Sequence, residues 1–276
     1  MPEMPEVEII RRYLDKVLIG QQIVKVDILL PRLIKWPGTE RYRSMAIGSK
    51  ILGTSRRGKY LLLLLDNGNE LVFHLRMTGR LVYEPDGLIR DRHTRLIFQL
   101  DGGGVLIYGD TRTLGAIYAL PTGEHWRIHG LYEMGPEPLT AEFSVDYLQQ
   151  TAKGRKTVIK SFLLNQRYIG GIGNIYADEA LFLAKIHPLR QAGSLSPAEC
   201  RALHEAINTV IEAGIRDGGT TFRDYQNGEG KQGHHQDHLY VYNRKGECCS
   251  VCGTTVLKIM VAGRGTHYCP SCQKEL

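Results

Sequence analysis

Apolar residues recur every three or four positions at the start of the chain, at Val7, Ile10, Leu14, Val17 and Leu18, and Gly20 closes the segment. That spacing predicts an amphipathic helix. The period then shortens. QQIVKVDILL, KYLLLLLD, NELVFHL, RLVYE, TRLIFQL, GVLIYG and GAIYAL are short β-rich runs, punctuated by DNGN, DGGG and PTGE. Seven strands after one helix predict a two-layer β-sandwich or barrel with a helix packed on it, ending near GPEPL at 135–139. Helical spacing returns in FSVDYLQQTA, KTVIKSFLLN, IYADEALFLAKI and SPAECRALHEAINTVIEAGI. Ser196 and Glu199 stand three apart at the start of the last of these, the pattern of a capping box. The polar, Gly-rich stretch 218–238 offers few core residues and reads as a mobile loop. From Leu239 onward come short strands and cysteines, and no long internal repeat is present.

Composition narrows the function classes. The 276 residues are 42% hydrophobic and 23% charged, which fits a globular chain with room for two ordinary domains. A net charge of +6 points to a polyanionic partner without proving one. No run approaches the ~18 apolar residues of a membrane span, and the acidic N-terminus lacks the apolar core of a secretory signal. An intracellular location is therefore expected, where six cysteines favour metal or free thiols over disulfides.

The candidate chemistry begins at MPEMPEVE. Removal of the initiator Met would leave Pro2 with a free secondary amine. An α-amine titrates roughly two units below lysine, near pH 8, so a useful fraction is neutral and nucleophilic at physiological pH. A secondary amine that adds to carbonyl-like carbon yields an iminium, an electron sink at any pH. Pro2, Glu3, Glu6 and Glu8 also suit the first turn of a helix on their own.

Two C-x-x-C pairs, Cys249/Cys252 and Cys269/Cys272, are separated by sixteen residues. Each pair can clamp one edge of a tetrahedral ion, and the spacer suits a β-hairpin, so one structural zinc is expected in a ribbon or finger. Cys248 is read as a spectator and Cys200 as a small buried apolar residue. Arg264, between Gly263 and Gly265, would stand at the hairpin tip, open to a phosphate. The turn YIGGIGN leads through Asn174 into a helix, whose positive end suits an anion. Upstream, Lys153, Arg155, Lys156 and Lys160, with Arg167 beyond, supply a basic lead-in that fits backbone capture of a nucleic acid. In the first domain Lys59 stands at a strand mouth, Met77 on the turn HLRMTG, and Arg112 and Leu114 on the turn DTRTLG. Apolar side chains on exposed turns beside an arginine suit wedges that enter a base stack.

Taken in order, MPE-x-PEVE, RRGKYL, HLRMTG, GPEPL, GGIGNIYADE, GRGTHYC and the Cys-x-x-Cys pairs resemble the bacterial formamidopyrimidine-DNA glycosylases over the whole chain. The resemblance implies an α+β chain in three parts. These are a catalytic β-sandwich with a packed helix at 1–135, a helix–two-turn–helix DNA-binding domain with a lesion loop at 136–238, and a zinc finger at 239–276. It implies a bifunctional glycosylase and AP lyase of base excision repair that removes oxidised purines and nicks by β,δ-elimination. Pro2 would attack the sugar, Glu3 would serve as the acid, and Glu6 would support them. Lys59 and Arg264 would meet phosphate and assist elimination, while His93, Arg155, Lys160 and Asn174 would hold the backbone. The implied partner is double-stranded DNA with oxidised purines or abasic sites, met by a monomer in the bacterial cytoplasm at the nucleoid.

Thr113 and Leu114 depart from the family's usual Arg then Phe, and its usual His-x-His becomes His93, Thr94, Arg95. These departures bear on lesion range and on the base opposite the lesion. An endonuclease VIII-like glycosylase for oxidised pyrimidines, a catalytically silent binder of damaged DNA and an RNA-binding zinc ribbon are the competing readings. The intact Pro2, Glu3 and Lys59 set speaks against the silent binder.

Overall fold

The computed structural model describes residues 2–87, 91–222 and 225–275. The chain forms two compact units, one of Met1–Tyr132 with Ile215–Gln236, the other of Glu133–Gly214 with Asp237–Leu276. Among the described residues no helix is long and apolar enough to cross a membrane.

The first unit opens with helix α1 (Met4–Leu18), which begins three residues before the apolar period does because Glu3 and Glu6 cap it. Val7, Ile10, Leu14 and Leu18 are fully buried along one face. Each such aliphatic side chain contributes about 1.5–3 kcal/mol relative to exposure. There follow β1 (Ile23–Ile28), β2 (Ile34–Trp36), helix α2 (Thr39–Ala46), β3 (Ile51–Arg57), β4 (Tyr60–Leu65), β5 (Asn69–His74), β6 (Gly79–Glu84), β7 (Thr94–Leu100), β8 (Val105–Asp110), β9 (Ala116–Pro121) and the short helix α3 (His129–Tyr132). The nine strands form two sheets, ordered β1-β7-β8-β6 and β2-β9-β5-β4-β3. All pairs are antiparallel except β2 with β9. Leu61, Leu63, Leu71 and Phe73 of one sheet and Leu81, Leu96, Phe98 and Leu106 of the other share a core with α1.

The sandwich expected from the sequence is therefore present, with two strands, β2 and β3, and two helices, α2 and α3, that hydrophobic pattern did not mark. The strand β2 has three residues before Pro37, and β3 buries only Ile51 fully and carries Gly53 and two arginines. The helix α2 is mostly polar, and only Tyr42, Met45 and Ala46 face the core.

The second unit holds α4 (Val145–Ala152), α5 (Ile159–Leu164), α6 (Asn174–Leu183), most of α7 (Pro197–Arg216), and the hairpin β10 (Leu257–Val261) with β11 (Arg264–Tyr268). Ser144 caps α4 through its side chain. The capping box read at the start of α7 is made: Ser196 N–H donates to Glu199 Oε2 at 2.8 Å and Glu199 N–H to Ser196 Oγ at 3.3 Å. The α6 segment is buried on nearly every side, with Asp178 and Glu179 among its buried residues.

Candidate active site and DNA-binding surface

Pro2 is buried immediately before the N-cap of α1. Glu3 N–H donates to Glu6 Oε2 at 2.8 Å while the Glu3 carboxylate accepts from Glu6 N–H. This reciprocal box sets both acids, 2% and 1% exposed, at the positive end of the helix beside Pro2. The second oxygen of Glu6 accepts Thr220 N–H at 2.9 Å, and the Tyr225 hydroxyl donates to the Glu6 carbonyl at 3.4 Å. Gly219, at φ +83°, makes that approach possible, since a Cβ there would lie 3.1 Å from Glu6 Cγ. The 218–238 stretch, expected to be a mobile loop, is thus tied to the start of α1, and Tyr225 belongs to the core. Its polar composition concealed this because one aromatic and a backbone N–H make the attachment.

Lys59 follows Gly58 (φ +56°) in the turn between β3 and β4 and is 8% exposed. That turn is bound to α1 by Arg56, whose Nε donates to Glu8 Oε2 at 3.1 Å. Glu8 also accepts from Arg11 and Arg12. Burial pushes its carboxyl up, but those hydrogen bonds and the charges of Arg11 and Arg56 outweigh burial and bring it from 4.5 to about 2. Beneath Lys59, Tyr60 pairs with His74 across β4 and β5. Burial, then the charges of Arg76 and Lys59, lowers His74 from 6.5 to about 3, so its ring is neutral at physiological pH. Neither Glu8's arginine cluster nor His74 was singled out from the sequence, where both sit in ordinary amphipathic runs.

Asp110, fully buried at the end of β8, organises two exposed loops. Its Oδ1 accepts from the Thr78 hydroxyl and from Arg112 N–H, and its Oδ2 accepts Gly115 N–H at 2.8 Å. Met77 and Leu114, 43% and 47% exposed, are presented on these loops, and Arg112 Nη1 lies 3.1 Å from Met77 Sδ. Asp110 N–H also donates to the His93 carbonyl at 2.9 Å. The structure therefore ties the Met77 loop, the Arg112–Leu114 turn and His93 to one residue, Asp110, the first two through its carboxylate and His93 through its backbone N–H. An acid closing an otherwise apolar strand was the available signal.

In the second unit α6 carries the hairpin. Asn174 Nδ2 donates to the Gly265 carbonyl at 2.8 Å. Asp178 Oδ2 accepts His267 N–H at 2.9 Å, and Glu179 accepts three successive N–H groups, of Tyr240, Val241 and Tyr242. Lys160 is completely buried, its Nζ 2.5 Å from Asp178 Oδ1 and 2.9 Å from the Asn174 carbonyl. Of the basic lead-in, Lys160 is therefore not a surface cation; its ammonium fixes the start of α6. Arg155 is partly exposed, stacked 4.2 Å from the Tyr168 ring and donating to its hydroxyl at 2.8 Å. Arg264 is exposed directly after the turn at Ala262 (φ +48°) and Gly263 (φ +74°), two positive φ values that suit a tight two-residue hairpin.

The Sγ atoms of Cys249, Cys252, Cys269 and Cys272 all lie within 4.8 Å of one another. Cys252 and Cys269 are 3.4 Å apart and Cys249 and Cys272 3.9 Å. Sulfurs at ~2.3 Å around a tetrahedral ion stand roughly 3.8 Å from each other, so the four fit one zinc. The set is closed by four protein ligands and leaves no position for substrate. Its core includes Phe182 of α6, with Val241 and Val256.

Three family models match the chain: the formamidopyrimidine-DNA glycosylase N-terminal domain over residues 1–117, that enzyme's H2TH domain over 134–226, and the zinc finger found in FPG and IleRS over 246–274. The formamidopyrimidine-DNA glycosylase of Desulforamulus reducens is 50% identical over 277 residues, covering 99% of each chain. The chain belongs to the formamidopyrimidine-DNA glycosylase family. It is an enzyme of base excision repair, a DNA glycosylase and AP lyase with one structural zinc. A second relative, from Symbiobacterium thermophilum, is 47% identical over 99% of this chain and 89% of its own. Among solved structures, Lactococcus lactis Fpg with DNA containing an abasic site superposes with a TM-score of 0.93 at 37% identity, covering 99% of this chain and 100% of that one. The same enzyme with Fapy-dG-containing DNA gives 0.92 at 36% identity, with the same coverage.

Proposed function

We propose that Pro2, freed by removal of Met1, is the nucleophile of this glycosylase and AP lyase. The observation that carries this reading is the box at the start of α1, which holds two buried carboxylates beside Pro2. In the proposed reaction the Pro2 nitrogen bonds to C1′ of an extruded nucleotide and the glycosidic bond breaks. The Pro2 nitrogen gives up its proton, Glu3 delivers a proton to O4′ as the C1′–O4′ bond breaks and the sugar ring opens, the nitrogen lone pair forms the C=N bond, and Glu6 fixes Glu3. The resulting iminium acidifies the adjacent C–H, and the electrons released expel first the 3′ and then the 5′ phosphate. Lys59 meets phosphate and assists elimination. Extrusion costs a few kcal/mol, roughly, which Met77 and Leu114 offset by filling the gap, with Arg112 and His93 on the flanking backbone.

Arg155, Asn174 and Arg264 are assigned to the DNA backbone and Lys160 to the same task indirectly, through the Asn174 carbonyl. The partner is double-stranded DNA, as in the Lactococcus lactis complexes with abasic and Fapy-dG DNA. The lesions are oxidised purines, and the enzyme works as a monomer at the bacterial nucleoid. Excision from duplexes carrying 8-oxoguanine, a formamidopyrimidine or an oxidised pyrimidine tests the lesion class. The purine lesions are expected to be released fastest; preferential release of the pyrimidine supports the endonuclease VIII-like reading instead.

A further inference from the structure

Two arginines meet at the exposed turn after β8, and one of them comes from a distant part of the chain. Arg32 lies in the 3-10 turn Pro31–Leu33, is exposed, and donates from Nη2 to Thr113 Oγ1. Thr113 sits at φ +53°, a left-handed conformation that a β-branched residue rarely adopts. The turn is pinned around it by the Asp110 carboxylate, which holds Arg112 N–H and Gly115 N–H. Arg32 is fixed just as closely at its backbone. Leu33 is 2% exposed and Ile34 pairs with Ile117 in the strand that leaves the turn.

Among the described residues neither Arg32 nor Arg112 has a carboxylate partner. Their guanidinium groups are therefore unneutralised charges at the Leu114 turn, and Arg32 is exposed. A fork of N–H donors with a delocalised charge matches two oxygens of a phosphate. The threonine hydroxyl carries no charge to offer a phosphate. It can, as an acceptor, hold the guanidinium in one orientation and so reduce the rotamer entropy lost on binding.

We propose that Arg32 is a DNA-backbone ligand, oriented by Thr113, that grips a phosphodiester of the strand meeting the Leu114 turn. This rests on the proposed reading of that turn as a DNA wedge. Arg112 and Arg32 then hold the backbone at the inserted leucine, one from the turn itself and one from the segment before β2.

The test is binding of the full chain to a duplex with a tetrahydrofuran abasic analogue, followed between about 50 and 200 mM salt. Arg32→Ala is expected to reduce the slope of log K against log salt by about 0.9, the value for one phosphate contact. Arg32→Lys keeps the charge and is expected to restore the slope. Thr113→Val, which removes only the acceptor, is expected to weaken binding in the parent protein and to have no effect in Arg32→Ala. An unchanged slope in Arg32→Ala, or a Thr113→Val cost equal in both backgrounds, overturns the proposal. Borohydride trapping on a duplex with a true abasic site, run beside the titration, separates the two readings. Absence of trapping contradicts the catalytic reading, whereas an unaltered slope contradicts the role of Arg32.

Discussion

Asn174 Nδ2 donates to the carbonyl oxygen of Gly265, the residue that follows Arg264 in β11. The first residue of α6 thus holds the strand that presents the finger arginine, and the same residue's carbonyl receives Lys160. Asn174→Ala removes this tie and is expected to cost about 1 kcal/mol of stability, as for a typical hydrogen bond. Nicking of abasic DNA should fall by more than that loss implies, because Arg264 is less well placed. Urea unfolding and single-turnover nicking measured on one preparation check both.

Lys160 and Asp178 are both completely buried and joined at 2.5 Å. Lys160→Met leaves a buried carboxylate without its cation and is expected to destabilise the chain by about 3–5 kcal/mol. Adding Asp178→Leu should recover part of that loss in the same urea titration, though His267 N–H then loses its acceptor. A small effect of Lys160→Met alone would show that the pair is not what fixes α6.

Zinc holds the hairpin together from both ends. Cys269→Ser, or chelation of the metal, is expected to weaken binding to abasic DNA strongly, because Arg264 loses its mount. Metal analysis should return one zinc per chain. Normal DNA binding by zinc-free protein contradicts this.

Acid sensitivity should centre partly on Glu8. Its carboxyl lies at about 2 when folded and near 4.5 when not. A depressed value stabilises the folded state above 4.5, and that contribution is lost as pH falls toward 2. Glu8→Gln is therefore expected to lower stability at pH 7 and to flatten its dependence between pH 4.5 and 2. His74 adds a second acid loss, beginning below 6.5, because its folded ring resists protonation down to about 3. Unfolding curves at a series of pH values resolve the two windows.

Most of the architecture was legible because period distinguishes α1, α7, β1 and the strands from β4 to β9 from their surroundings. The three-residue β2, the Gly-containing β3 and the polar α2 lacked that signal, and only their partners in the sheet and core define them. The four zinc ligands were legible from spacing alone. What could not be read was the wiring between distant positions. Glu6 meeting Thr220, Asp110 joining the Met77 and Leu114 loops, and Arg32 reaching Thr113 are contacts across 214, 32 and 81 positions of chain. No local pattern marks such pairs. Lys160 shows the converse: four cations close together suggest a solvated face, yet one is an internal strut, and only burial distinguishes it.

In the proposed mechanism every step follows from the amine of Pro2. The decisive measurement is borohydride trapping on a duplex containing 8-oxoguanine, comparing protein that begins at Pro2 with protein carrying one extra residue before it. Covalent attachment of the first and none of the second is expected, with Glu3→Gln binding the duplex but releasing no base. Equal trapping of the blocked protein would place the nucleophile elsewhere and contradict the mechanism.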